Sequence, residues 1–411
     1  MGFLKVLRIR HLAILWLSQV FSAMGDYFYE IAVIWIAIKT VGSGAGIVAA
    51  AESGAMLVFG LLGGVYADRW NRRKTMITVD VLRACTVLSL PIVAEVAPIQ
   101  LWHLILIAII VGSLSALFDP ALQASLPALT EDTQTLQATN GLMDVTRRLA
   151  RILGPGMAGV LIAFLPLTHF FTIDAISFGV SALAVFSLGR HFAWKPVPMQ
   201  QRIAGIRGIW TEIAGAMRLV RAHRPLLWAL VINGIINMLW SAAFTVGVPL
   251  LADRVLKGNV GAYGLIIAAY GVGNVISNLI VGSFTIRHRM VMVFTGKVIV
   301  GVGFILMASA TTLPIALLGS AIAAIGGPMG DIVMVTMIQT DLPPGQLGKV
   351  YSLRMLMASI GASLGLLLAV PLFQFVSVPV GITLCACLMV VSGSAGLLRF
   401  GFSEPVVPAL F

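Results

Sequence analysis

Apolar residues gather into stretches of about twenty, separated by short polar connections, and a membrane-spanning helix needs about that many. The pattern predicts helical spans at 12–40, 45–67, 76–97, 101–125, 138–165, 169–189, 226–252, 261–284, 291–311, 313–338, 350–375 and 378–400. The apolar rhythm stops between Gly189 and Pro225, a stretch that carries Arg190, Lys195, Arg202, Arg207, Arg218 and Arg221. The chain therefore divides into an N-terminal six-helix bundle (1–189), a cytoplasmic basic linker (190–225) and a C-terminal six-helix bundle (226–411). Within the linker, Ile209, Ile213, Met217 and Val220 recur at helical intervals. That spacing fits an amphipathic helix on an anionic leaflet as well as it fits a solvated connection.

Composition agrees with a lipid environment. Of 411 residues 59% are hydrophobic and 10% charged, whereas a soluble domain carries about 25% charged residues. The net charge of +11 would suit nucleic acid, but the basic residues are spread over alternate loops instead of one face. Placing the N-terminus inside puts Lys5, Arg8, Arg10, the Arg69–Lys74 cluster, Arg190 to Arg224, Arg287, Arg289, Lys349 and Arg354 on the cytoplasmic side and leaves only Lys39, Arg254 and Lys257 outside. This asymmetry implies an even number of spans with both termini in the cytoplasm; the membrane expected is the bacterial cytoplasmic (inner) membrane. The first span follows Met1–Arg10 without a small-residue cleavage site, so it reads as a retained helix. Cys85, Cys385 and Cys387 lie inside apolar segments and offer neither a disulfide framework nor metal-ligand spacing.

The two halves echo one another. Segment two ends with Gly64 followed by Arg69, Arg72 and Arg73, and segment eight with Gly282 followed by Arg287 and Arg289. Arg147 precedes Gly154 by seven residues, and Arg354 precedes Gly361 by the same interval. Such echoes mark duplicated transporter halves.

Between segments two and three stands Gly64-Val-Tyr-Ala-Asp68-Arg69-Trp-Asn71-Arg72-Arg73-Lys74. This string resembles the signature loop of the major facilitator superfamily. Asn71 stands where the family usually has glycine, and asparagine tolerates a left-handed backbone. Ser22-Ala-Met-Gly25-Asp26, Asp80-Val-Leu-Arg83-Ala, Phe118-Asp119-Pro120-Ala121 and Asp174-Ala-Ile-Ser177-Phe178 resemble the macrolide-efflux branch of drug:proton antiporters, which includes siderophore exporters. Gly154-Pro155-Gly-Met-Ala-Gly159 resembles the antiporter motif of drug exporters, read physically as a small-residue face for close helix packing.

The resemblance implies an all-α integral membrane protein of twelve transmembrane helices in two pseudo-symmetric six-helix bundles, functional as a monomer. It also implies gating roles for Gly64, Asp68, Arg69, Arg72, Arg73 and Asp119, the last in a charge relay with Asp68 and the loop arginines.

Ionisable residues inside spans are costly and nominate sites. Asp26 falls about 21 Å along its segment, near the bilayer middle, and Glu30 follows one turn later on the same face. The pair is expected to carry coupling protons and to attract a cationic substrate, or else Asp26 pairs with a neighbouring arginine. Asp80 and Arg83 are spaced to pair within their own helix, as are Asp144 and Arg147 or Arg148. Arg151 lies a further turn along, within reach of Asp26 or Glu30. Glu52, Asp174 and Asp331 receive no role, and Lys297 is expected to snorkel to the interface. The substrate cavity is expected among Tyr27, Phe118, Arg151, Asn233, Asn237, Met238, Trp240, Phe244, Asn274, Asn278 and Met329, where methionines, aromatics and amides suit large amphiphiles.

No phosphate-binding GxxxxGK[ST] string, His-Glu-x-x-His or paired metal ligands occur in the sequence, so neither ATP hydrolysis nor metal chemistry is indicated. The sequence implies no enzyme, no cofactor beyond the proton motive force, and no nucleic-acid partner. The resemblance implies as partners an amphiphilic small molecule (a macrolide, another drug or a siderophore), protons and membrane lipid. Movement of a lipid or lysophospholipid on the same fold, or a membrane-embedded lipid-modifying enzyme, are the alternatives.

Overall fold

The computed structural model describes residues 6–66, 71–130, 132–161, 164–189, 206–258, 260–283, 288–342 and 347–400. These residues are helical, with no strand among them. In chain order the helices are α1 (Arg10–Val41), α2 (Ala45–Tyr66), α3 (Arg72–Val96), α4 (Leu101–Leu129), α5 (Thr133–Leu161), α6 (Thr168–Ser187), α7 (Ile206–Ala222), α8 (Arg224–Trp240), α9 (Val260–Ser283), α10 (Arg289–Ala308), α11 (Leu313–Asp341), α12 (Leu347–Phe375) and α13 (Val378–Phe400).

Ten stretches among the described residues are long and apolar enough to cross a membrane. The first of them, Arg10–Gly60, holds α1 and most of α2. They are joined by the short 3₁₀ turn Gly42–Gly44, where Gly42 has φ +58°, the left-handed geometry that ends helices and that glycine adopts cheaply. Helix α5, with Asp144, Arg147, Arg148 and Arg151, is long enough to span but is not among the ten.

Polarity is distributed as a bilayer demands. Leu183, Leu279 and Leu398 expose 70%, 70% and 76% of their surface, while Asp80, Asp174 and Lys297 expose 0%, 0% and 4%. Water would reverse that arrangement; lipid favours it.

The chain forms two compact units, Met1–Val41 with Ala51–Ile203, and Gly42–Ala50 with Ala204–Phe411. In the first, α1 packs on α5 and α6, and α3 on α4 and α6. The apolar core at one end of this unit includes Leu12, Leu15, Met76, Val79, Leu126 and Val185. Phe28 and Tyr29 of α1 meet Phe170 and Phe171 of α6 with ring centroids 5.3 and 6.1 Å apart.

In the second unit α10 packs on α11 and α13, α9 on α11, and α8 on α12. Small residues let the α10 and α11 backbones meet. A Cβ on Gly326 would collide with the Gly296 carbonyl, and one on Gly303 with the backbone of Ala323. Helix α7 belongs to this unit and packs on α12. Of the expected apolar stripe, Val220 is buried and Ile213 and Met217 are half-buried, so the C-terminal end of this helix packs on protein.

Two local features have direct sequence causes. Asn71 caps α3, with φ −66° and ψ 105° and its side chain accepting from the Lys74 amide at 3.1 Å. The asparagine is thus kept for its side-chain oxygen, and the left-handed backbone expected of it is absent. Helix α8 continues through π-helical turns at Ser241–Gly247 and Leu251–Val255. These bracket Pro249, which has no amide hydrogen and whose ring would otherwise strike the Thr245 carbonyl.

Candidate functional site

In the first unit carboxylates of four helices interact electrostatically with Arg83. Its guanidinium lies 5.3 Å from the Phe118 ring centroid and 5.0 Å from that of Phe178, and both rings are buried. Asp80, one helical turn earlier, sits 3.9 Å away. Its buried carboxylate is compensated by the Ser181 hydroxyl of α6 together with the guanidinium. The i,i+3 pair expected from the sequence is present, and the aromatic clamp around it is new.

Asp26, Glu52 and Asp174 also lie in the field of Arg83. Four carboxylates on α1, α2, α3 and α6 thus share one arginine on α3. Glu30 and Asp119 extend the group, the first acting on Glu52 and the second on Asp26. Asp26 and Glu30 are exposed, as is Asp119, whereas Asp174 is fully buried.

Asp174 fixes the approach of α6 to α1. Its Oδ1 accepts from the Ser177 hydroxyl at 3.3 Å. A Cβ on Gly25 would collide with that hydroxyl and with the carboxylate. Gly25 therefore has a steric reason to precede Asp26. Nearby, Gln19 of α1 donates to Ser181 of α6 at 3.1 Å.

The remaining expected site residues fall as follows. Asp68 and Arg69 lie outside the described residues, and of Gly64 only the helical backbone in α2 is described. Arg73 closes the end of α6. Its Nη2 donates to the Phe186 carbonyl at 2.7 Å and its Nε to that of Val185 at 3.4 Å, a basic side chain satisfying the last carbonyls of a helix. Arg72 opens α3 beside it.

Gly154 abuts Tyr27, since a Cβ there would come 2.7 Å from the tyrosine Cβ. The small-residue face of α5 thus receives α1. Arg151, Pro155 and Gly159 continue the α5 helix, with their side chains outside the described residues.

The second unit holds its own polar centre, on α8, α10, α11 and α12. Lys297 is 4% exposed and donates to the Asn233 side-chain oxygen at 2.9 Å. The interfacial snorkel expected of it does not form. Asp331 and Arg354 act on it electrostatically and pair with each other at 2.9 Å. Asn237 donates to the Asn233 carbonyl at 2.8 Å.

Further along α8, Trp240 stacks on Phe244 with centroids 4.7 Å apart and donates to the Tyr270 hydroxyl at 3.0 Å. Asn278 donates to the Asn274 side chain at 3.0 Å. The Met238 carbonyl receives Gly365, where a Cβ would collide with it, and Met329 abuts Gly296 of α10.

A helical membrane protein that gathers ionisable side chains inside its spans has the build of a solute transporter. The family model described as transmembrane secretion effector, MFS_3, matches residues 2–402. The chain belongs to this family, within the major facilitator superfamily, whose members are transporters and not enzymes.

It is 25% identical to the MFS-type transporter YfiS of Bacillus subtilis, over 94% of this chain and 92% of that one. It is 26% identical to the multidrug efflux pump Tap of Mycolicibacterium fortuitum, over 85% and 86% of the two chains. With macrolide efflux protein A of Streptococcus pyogenes it shares 24% identity over 86% and 87%. Among solved structures, the POT family transporter PepTSo matches with a TM-score of 0.73 over 96% of this chain and 99% of its own, at 12% identity, a likeness of fold.

Proposed function

We propose that the chain is a secondary active exporter that exchanges inward protons for outward movement of an amphiphilic small molecule. Twelve spans with both termini in the cytoplasm of a bacterial inner membrane complete this reading. The observation that carries it is the sharing of Arg83 by Asp26, Glu52, Asp80 and Asp174, in a chain whose relatives include pumps named for multidrug and macrolide efflux.

Among the described residues one arginine faces four carboxylates, more than it can neutralise. Some of them take up and release protons as the arginine's position changes, because intramembrane charges of like sign are not held together uncompensated. Asp26 and Glu30, exposed on α1, are the coupling residues that exchange with solvent and cationic substrate. The signature-loop residues Gly64, Asp68, Arg69, Arg72 and Arg73, with Asp119, control access, and Gly154, Pro155 and Gly159 form the packing face along which α5 meets α1. Energy comes from the proton motive force, whose electrical part is about 2.3 kcal/mol per charge per 100 mV, and a substrate that binds two conformations unequally couples it to transport.

The test uses purified protein in liposomes with an imposed pH gradient, following proton movement as macrolides, cationic dyes and siderophores are added. Substrate-dependent proton release from acid-loaded liposomes supports antiport. Binding of these compounds without any proton movement rejects it.

A further inference from the structure

The polar centre of the second unit has a charge that proton exchange in the first unit does not use. Asn233, Lys297 and Arg354 lie about 10–14 Å into their helices at a rise of 1.5 Å per residue, inside the apolar stretches that hold them. Lys297 is buried, and its ammonium spends one donor on the Asn233 amide oxygen at 2.9 Å. Arg354 spends Nη2 on Asp331, while its Nε is buried without a partner among the described residues. Two cations therefore share one carboxylate, and among the described residues the centre keeps a positive charge in excess.

A buried charge in a bilayer is costly unless it is paired or used. Three features fit use. The Asp331 side chain is 54% exposed although it holds the arginine, so the counter-ion stands on the accessible side, where an incoming group could exchange with it. Gly330, the residue before it, lets the lysine pack directly against α11, since a Cβ there would lie 3.0 Å from Nζ, which holds the ammonium beside the Asp331 position. An ammonium and a guanidinium together also match the two lone-pair directions of a planar oxyanion.

We propose that Lys297 and Arg354 form an oxyanion-recognition centre in the second unit, so that the transported amphiphile carries a carboxylate or an acidic phenolate beside its apolar body, which takes the place of Asp331 on Arg354. The inference rests on the export reading but is tested apart from proton coupling. Lys297 recognises charge, and Asn233 orients the ammonium by accepting one of its hydrogens.

The experiment measures binding of rhodamine B and of its ethyl ester to the full chain in detergent at constant pH and ionic strength, by fluorescence anisotropy. The two dyes share one apolar cation and differ in one carboxylate. Wild type is expected to bind the acid about ten-fold more tightly than the ester, the effect of one charge-assisted contact. Lys297→Met narrows the preference for the acid, because Arg354 still holds the carboxylate, and Lys297→Arg keeps the preference in full. Asp331→Asn, which removes the internal competitor, tightens the acid dye alone.

Equal affinity of the two dyes for wild type overturns the centre, as does an equal loss for both in Lys297→Met, which is the mark of scaffolding. If Lys297→Met is not recovered as monodisperse protein, an Asp331→Asn variant whose acid-dye affinity matches wild type overturns it instead. Binding of neither dye to wild type rejects the export of amphiphilic cations and this centre with it, whereas equal binding of both leaves export standing and removes only the centre.

Discussion

The guanidinium of Arg83 lies 5.0 Å from the ring centroid of Phe178, so the arginine of α3 is clamped by an aromatic face of α6 while Asp80 holds it from the side at 3.9 Å. A cation–π contact of this kind contributes about 0.5–2 kcal/mol, and the planar guanidinium can stack and pair at once, which an ammonium cannot. Arg83→Lys keeps the charge and loses the stack. Export is expected to fall by about ten-fold with the protein still in the membrane. Wild-type export by Arg83→Lys, at matched expression, would show that the charge alone suffices.

Removing the charge should separate structure from function. Arg83→Gln leaves Asp80, 0% exposed, without its compensating cation, and breaking a buried ion pair from one side costs about 3–5 kcal/mol. Less folded protein is expected in the membrane. Adding Asp80→Asn removes the orphaned carboxylate, so the double variant Asp80→Asn/Arg83→Gln should recover folded protein yet export nothing. Quantifying monodisperse protein by fluorescence-detected gel filtration decides the first point, and dye efflux from liposomes the second. Recovery of export in the double variant would make the pair a scaffold.

Asp26 and Glu30 are tested together, because either carboxylate one turn from the other can stand in for it. Asp26→Asn/Glu30→Gln should abolish export driven by a pH gradient, while exchange of labelled for unlabelled substrate across the membrane, which needs no net proton movement, continues. Loss of both reactions would place the residues in substrate binding instead of coupling. Unchanged gradient-driven export would move the proton site to Glu52 or Asp174.

How much of this was legible in the sequence depended on whether the cause was local. Long apolar stretches gave the helices, and the i,i+3 spacing of Asp80 and Arg83 gave their ion pair. The clamp by Phe118 and Phe178 joins residues 35 and 95 positions away from Arg83 on α4 and α6, and nothing in the spacing along α3 predicts which aromatic rings will face it. Lys297 misled for the same reason. Its distance from the helix start permits a snorkel, but the Asn233 oxygen on α8, 2.9 Å away, gives the ammonium a nearer partner. Asn71 had a local cause that was misread: an asparagine three residues before Lys74 fits a helix cap as well as a left-handed turn, and only φ distinguishes them. The π-helical turns around Pro249 were likewise signalled by a proline inside a span, since its missing amide must be accommodated somewhere.

Gly25 offers a test of packing at the candidate site. A Cβ there would strike the Ser177 hydroxyl and the Asp174 carboxylate, and overpacking a close helix contact costs about 1–3 kcal/mol. Gly25→Val is expected to lower the melting temperature and to inactivate export by pushing α6 away from Asp26. Adding Ser177→Ala trims the first obstacle and should restore part of the stability. An unaltered melting temperature in Gly25→Val would mean that α1 and α6 yield at this crossing, and that Asp174 is not held by it.

The cap of α3 distinguishes two roles for Asn71. If its side-chain oxygen is what the first turn needs, Asn71→Ala loses the bond to the Lys74 amide, 3.1 Å long, and costs about 1 kcal/mol. Asn71→Asp keeps an acceptor and should match wild type in thermal stability. Asn71→Gly restores the residue usual in the superfamily and costs only a few tenths of a kcal/mol, because glycine caps by leaving the amide open to water. The order Asp, Gly, Ala in melting temperature follows from capping. A left-handed backbone at this position would instead make Gly the most stable of the three, since only it takes positive φ without penalty, and the φ of −66° at Asn71 predicts that this second order will not be found.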